Sequence, residues 1–163
     1  MNLHTCLNST KGATFSEVMV AMGLTYIGLM GAMGAFHVAE KAIVQGMLAS
    51  RALSMAESRL EAKRSVQWEQ LLMDDLDHDG IPEIVMHDDG VGVDRAAGDG
   101  IYSAQLERNG VVLTWTVAPN HGGRLSESGF AVFEARATYR SDNGEHEVRL
   151  ATVRANPVFA GSL

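Results

Sequence analysis

Residues 11–36 read KGATFSEVMVAMGLTYIGLMGAMGAF, and the fold turns on how this stretch is understood. After Glu17 there are 19 residues without a charge, Val18 to Phe36, among them Met19, Val20, Ile27, Leu29 and Met30. A helix needs roughly 20 apolar residues to cross hydrocarbon at about 1.5 Å each, so the run is close to a membrane span. Gly23, Gly28, Gly31 and Gly34 lower its helix propensity and permit either close helix packing or plain lipid contact. Glu17 is the anomaly. A carboxylate at the edge of a hydrophobic span costs free energy unless it has a partner.

The residues before the span explain where that partner comes from. Residues 1–12 (MNLHTCLNSTKG) are short and polar, with Lys11 as the only formal cation. A secretory signal would place its basic end directly before a 7–15-residue apolar region and its cleavage site after it. Here the Lys11-Gly12 pair precedes the apolar run, so a cut after Gly12 leaves the hydrophobic helix on the mature chain. Ala13 then becomes the N-terminus and Glu17 the fifth residue, with a new ammonium nearby. Cys6 is the sole cysteine of the chain. It excludes an intramolecular disulfide, and no apolar stretch precedes it to make it a lipidation site.

The segment KGATFSEVMVAM resembles the processing motif of type IV prepilins: a basic residue, glycine, four residues, glutamate, then a long apolar helix. The continuation is similar to minor pilins of the PilV type and, less closely, to minor pseudopilins of type II secretion. The resemblance implies that a prepilin peptidase cuts between Gly12 and Ala13 and methylates the new amine. It also implies that Glu17 pairs with the amine of a neighbouring subunit during assembly, and that the fold is the type IV pilin fold. Ala13 stands where the family usually has phenylalanine or methionine. Thr14-Phe15-Ser16 stands where it more often has threonine-leucine-isoleucine. Both departures point to a minor component.

From residue 38 the pattern turns amphipathic. Ala39, Ile43, Gly46, Met47, Ser50, Leu53, Ala56 and Leu60 recur at helical spacing, with charged residues between them. No proline falls within 13–65, which permits one helix of roughly 75–80 Å at ~1.5 Å per residue. Its second half needs a sheet to cover its apolar stripe. Arg59, Lys63 and Arg64 cluster there, but Glu57 and Glu61 interrupt them, and the group reads as a solvated helix face.

The last hundred residues alternate as strands do. IYSAQLER and VVLTWTV flank Asn109-Gly110, a strong signal for a two-residue type I′ hairpin turn. Phe133, Ala135, Ala137 and Tyr139 alternate in the next strand, and Ser141-Asp142-Asn143-Gly144 turns into a strand with Val148 and Leu150. Four antiparallel strands on a helix stripe give an α+β fold. Asn156-Pro157 is where regular structure is expected to end. The chain divides into a leader (1–12), a transmembrane or filament-core helix (13–37), an amphipathic extension (38–65) and a β-rich head (66–163) with an acidic loop (74–100).

Residues 69–100 hold ten acids against one cation, Arg95. Asp75, Asp77 and Asp79, followed by Gly80, match the first half of a calcium loop, because alternate acids before a turn glycine converge on one point. Ile81 would add a carbonyl and Glu83 a further or water-mediated oxygen. The twelfth position is Met86, so the full EF-hand pattern fails, and Asp88 or Asp89 would supply the missing oxygen. The stretch from Asp88 through Asp94 to Asp99 reads mainly as turn chemistry. His78 and His87 are outnumbered by oxygens and read as solvated.

The formal charge of −7 argues against nucleic acid, which needs a basic stripe. No nucleophile–base spacing, phosphate loop or CxxC occurs, so the chain reads as a substrate of processing, not an enzyme. The readings that follow are a minor pilin, a minor pseudopilin, or a membrane-anchored calcium-binding periplasmic module that does not polymerise. Its partners would be the prepilin peptidase, other pilin or pseudopilin subunits, and the inner membrane before assembly. The head would lie in the periplasm and later in an extracellular pilus or periplasmic pseudopilus.

Overall fold

The computed structural model describes residues 12–77, 79–121 and 123–160. Residues 1–11, which make up most of the expected leader and include Cys6 and Lys11, and also His78, lie outside the described residues. Helix α1 (Phe15–Ser65) is continuous, as the absence of proline allows. It belongs to two compact units, one ending at Val44 and the other running from Gln45 to Leu163.

In the first unit every described residue from Gly12 to Val44 is exposed, including Val20, Leu24, Ile27, Met30 and Phe36. This part of α1 is long and apolar enough to cross a membrane. None of its most apolar window is buried inside the chain. Helices that are hydrophobic all round are generally those buried in a core or in a membrane, and none of the described residues covers this one.

The second unit packs the remainder of α1 on a four-stranded antiparallel sheet. Its strands, in spatial as well as chain order, are β3 (Tyr102–Arg108), β4 (Val111–Pro119), β5 (Phe130–Ser141) and β6 (Gly144–Ala155). They follow a smaller two-stranded pair, β1 (Met73–Asp74) and β2 (Ile84–Val85). The α+β class expected from the alternating patterns is the one formed. Val111, Leu113, Trp115 and Val117 of β4 and Phe133, Ala135, Ala137 and Tyr139 of β5 all point into the core. Their neighbours Thr114, Thr116, Glu134 and Arg136 face outward, where Glu134 holds Arg149 of β6 at 2.6 Å. Asn109 and Gly110 take φ of +53° and +76°, as a type I′ turn demands of both central residues.

Four expectations are corrected. The helix stripe that packs is Leu48-Ala49, Ala52, Met55-Ala56, Leu60 and Lys63, whereas Ile43, Met47 and Leu53 stay exposed. Ala52 and Ala56 are fully buried, and such short side chains let the helix close on the sheet along their face. Arg59 and Lys63 are not solvated: they lie on that same buried face, and only Arg64 remains outside, near Glu61. The acidic region is not a plain loop, since β1 and β2 clamp its first part. A single helical turn, α2 (Pro157–Ala160), follows Asn156.

Candidate functional site

The head is organised around one acid. Asp74, in β1, has its side chain 3% exposed and takes Arg59 on Oδ1 at 2.8 Å and Lys63 on Oδ2 at 2.9 Å. The indole Nε1 of Trp115 also donates to Oδ2, at 2.9 Å. Arg59 lies over the Trp115 ring, 4.6 Å from its centre. Lys63, 2% exposed, donates further to the carbonyls of Leu71 and Met73. Burial pushes the Lys63 ammonium below the usual lysine value, against the pull of Asp74, which raises it. A folded value below the unfolded one means that keeping Lys63 charged costs stability, in full at pH below the folded value. That cost fades as pH rises through the folded value to beyond the unfolded one.

The helix end is fixed from the other edge of the sheet. Arg154 of β6 donates to the carbonyls of Lys63 at 2.9 Å and Val66 at 2.6 Å, two of the acceptors that a helix C-terminus leaves unpaired. Trp68 in the following turn donates to Leu125.

This anchoring sets the base of the acidic hairpin. β1 and β2 pair Met73 with Val85 and Asp74 with Ile84, so residues 75–83 form a loop closed at its root. Within it the carboxylates of Asp75, Asp77, Asp79 and Glu83 each offer an oxygen within 4.8 Å of the others. Gly80, at φ +89°, makes the turn, and its N–H donates to Asp75. Asp77 accepts from Asp79 N–H, Asp79 from Ile81 N–H, and Glu83 from Leu76 N–H. Four carboxylates at this spacing repel one another by on the order of 1 kcal/mol per pair in water. Oxygens so spaced fit the 2.3–2.6 Å shell of one calcium ion.

Asp88 and Asp89 do not join this group. Asp88 turns its carboxylate onto the N–H groups of Gly98, Asp99 and Gly100, and gathers with Asp94 and Asp99 in a second cluster. Asp94, itself buried, accepts from Gly90 N–H. Asp89 accepts the local N–H of Val91. Met86 belongs to the core, so the twelfth position has no ligand to give. His87 is exposed and pairs through its backbone with Ser103.

The segment expected to be processed is simpler. Gly12, Ala13 and Thr14 precede α1 without regular structure, and all three are exposed. Thr14 carbonyl accepts the first helical N–H, from Val18, at 3.1 Å, and its Oγ1 accepts Glu17 N–H at 3.3 Å. Glu17 is exposed in the first turn, where the helix dipole favours an acid. Sequence reading passed over Asp74 as one acid among ten, and Thr14 as a family position. The signals present were two cations four residues apart in line with Ala56 and Leu60, and the Thr-x-x-Glu spacing of a capped helix start.

No protein-family model matches the chain, and neither a curated protein nor a solved structure matches it.

Asp74→Ala leaves two cations buried without their acid and is expected to cost about 3–5 kcal/mol. Glu61→Ala, in an exposed pair, is expected to cost less than about 1 kcal/mol. Tryptophan fluorescence during unfolding of the two variants compares them directly; equal losses would remove Asp74 from its central position.

Proposed function

We propose that the chain is a minor type IV pilin, a structural subunit processed after Gly12 by a prepilin peptidase and built into, or priming, a pilus. The observation that carries this reading is the first half of α1. Over residues 15–39 it is largely apolar, is covered by none of the described residues, and carries a single acid, Glu17, the fifth residue after the proposed cut. A chain cut there presents a free amine at Ala13 and a carboxylate at Glu17. Helix packing in a filament would cover the exposed apolar surface and allow the amine of one subunit to meet the carboxylate of the next. The helix-on-sheet head is compatible with a pilin-like fold. Before assembly the helix would hold the protein in the inner membrane as a single-pass anchor with a periplasmic head. A minor pseudopilin would need the same features, and recovery from surface pili or from the periplasm distinguishes the two.

We infer a second property of the head from the converging oxygens of Asp75, Asp77, Asp79 and Glu83: binding of Ca²⁺, with the carbonyl of Ile81 as a further donor. Calcium would neutralise the repulsion and rigidify the loop above its clamped root. A membrane-anchored calcium-binding module that does not polymerise shares this property but has no use for Gly12 or Glu17.

Three outcomes follow. In cells with an active prepilin peptidase the product begins at Ala13, losing 12 of the 163 residues and keeping 151. Gly12→Val blocks that cut, because a branched side chain obstructs approach to the bond. Intact mass shows which bond is cut, and an unprocessed chain or a cut beyond Phe36 would sink the pilin reading. Glu17→Ala is expected to be processed and inserted normally while its content in sheared filaments falls. Wild-type incorporation of that variant reduces Glu17 to a boundary acid. Calcium at a hundredfold excess over its dissociation constant stabilises the full chain in detergent by about 2.7 kcal/mol. Asp77→Ala and Asp79→Ala abolish the effect, Asp94→Ala does not, and Mg²⁺ substitutes poorly. A melting temperature indifferent to calcium and to chelator returns the loop to a solvated acidic turn.

A further inference from the structure

We propose that Thr14 is a positioning residue for the processing reaction, holding the scissile Gly12–Ala13 bond outside the helix; this rests on the cleavage proposed above. Hydrolysis requires water, activated by the peptidase, to reach the Gly12 carbonyl carbon. The C–N bond breaks, leaving a carboxylate on Gly12 and the amine on Ala13. A peptide bond wound into a helix resists this, because its carbonyl is engaged by the N–H four residues on and its faces are covered by the turn.

A single donor is at issue. In a helix extended by one residue, Glu17 N–H would bond to the carbonyl of Ala13, and Ser16 N–H would then be placed to reach that of Gly12. Instead Glu17 N–H is taken by Thr14 Oγ1 at 3.3 Å, and α1 begins at Phe15. The hydroxyl thereby ends the helix two residues beyond the bond to be cut. Ser16 Oγ lies 3.1 Å from Thr14 Oγ1, so the capping oxygen has a second polar neighbour that fixes its position. The segment it protects is open: Gly12 and Ala13 are exposed, and a side chain built on Gly12 would meet nothing within 4 Å. None of the described residues obstructs a side chain at Gly12, so the obstruction expected of Gly12→Val is assigned to the peptidase, whereas the control exerted by Thr14 is internal to the substrate.

Replacing Thr14 by alanine releases Glu17 N–H to Ala13 and places the strongest helix former at the boundary. The full-length precursor in detergent, incubated with a prepilin peptidase, tests this. Thr14→Ala is expected to be cut about fivefold more slowly than wild type, the factor that a cap of ordinary strength represents. The Ala13 Cα chemical shift should move to its helical value in the same variant. Thr14→Ser keeps the capping oxygen and is expected to restore both rate and shift. Equal cleavage of Thr14→Ala and wild type, or a Thr14→Ser variant as slow as Thr14→Ala, overturns the assignment while leaving the processing site intact. A wild-type chain that is not cut at all overturns the processing site, and this assignment with it.

Discussion

A buried carboxylate in a core is tolerable only when its charge is met at close range, and Asp74 is met from three directions. Arg59 and Lys63 come from one helix face, four residues apart, while Trp115 comes from the middle of the second strand of the sheet. Each of these donors would be costly to bury without the others. The helix can therefore lie on the sheet in only one rotational setting, and that setting is the one in which Ala52 and Ala56 are completely covered. Ion pairs of this kind add little net stability against an apolar replacement of equal volume. Their physical effect is to exclude alternative packings, since any slip leaves a charge unpaired in a dry interior.

The carbonyls that accept from Lys63, those of Leu71 and Met73, carry this constraint along the chain from the helix to the root of the acidic hairpin. At that root Leu71 is fully buried and Met86 lies in the core directly after β2, while Met73 and Val85 of the paired strands stay exposed. Beyond it the turn 75–83 is largely exposed. Its acids are thus gathered by a closed loop whose two ends cannot separate. Mutual repulsion among them is borne by the Asp74 anchor and the β1–β2 pairing instead of being relieved by opening of the chain.

The strands of the head were legible because alternation with a period of two leaves a direct trace, and β4 and β5 keep it over their whole core-facing lengths. Asn109-Gly110 was legible for an equally local reason, as few other pairs adopt positive φ at both positions. The helix stripe was misplaced because apolarity was taken as the mark of the buried face, and here that face carries Arg59 and Lys63. Their acid lies 15 and 11 residues further on, and the tryptophan that completes the site is 41 residues beyond Asp74. Pairings at those separations leave no periodic trace. Of the candidate calcium ligands, the four side chains brought together are those placed at alternate positions around Gly80. Asp88 and Asp89 were proposed by proximity in sequence alone, and the backbone amides of Gly98, Asp99 and Gly100 claim the first of them.

Counting acids therefore says less than asking how each negative charge is compensated. Asp74 is neutralised by two cations, and Asp88 is held by three backbone amides, which leaves little for an outside partner to gain at either. Asp75, Asp77, Asp79 and Glu83 each accept a loop amide but face one another, so the field at their centre stays negative and an added cation gains most there. Glu17 is a separate case on a different part of the chain. Among the described residues its carboxylate has neither a cation nor a hydrogen-bond donor, and only the partial positive charge of the helix start lies near it. This acid heads a helix long and apolar enough to cross a membrane, where an unpartnered carboxylate is costly. Under the processing proposed above, the amine that a cut before Ala13 would release is a group of the right sign that the chain itself could generate.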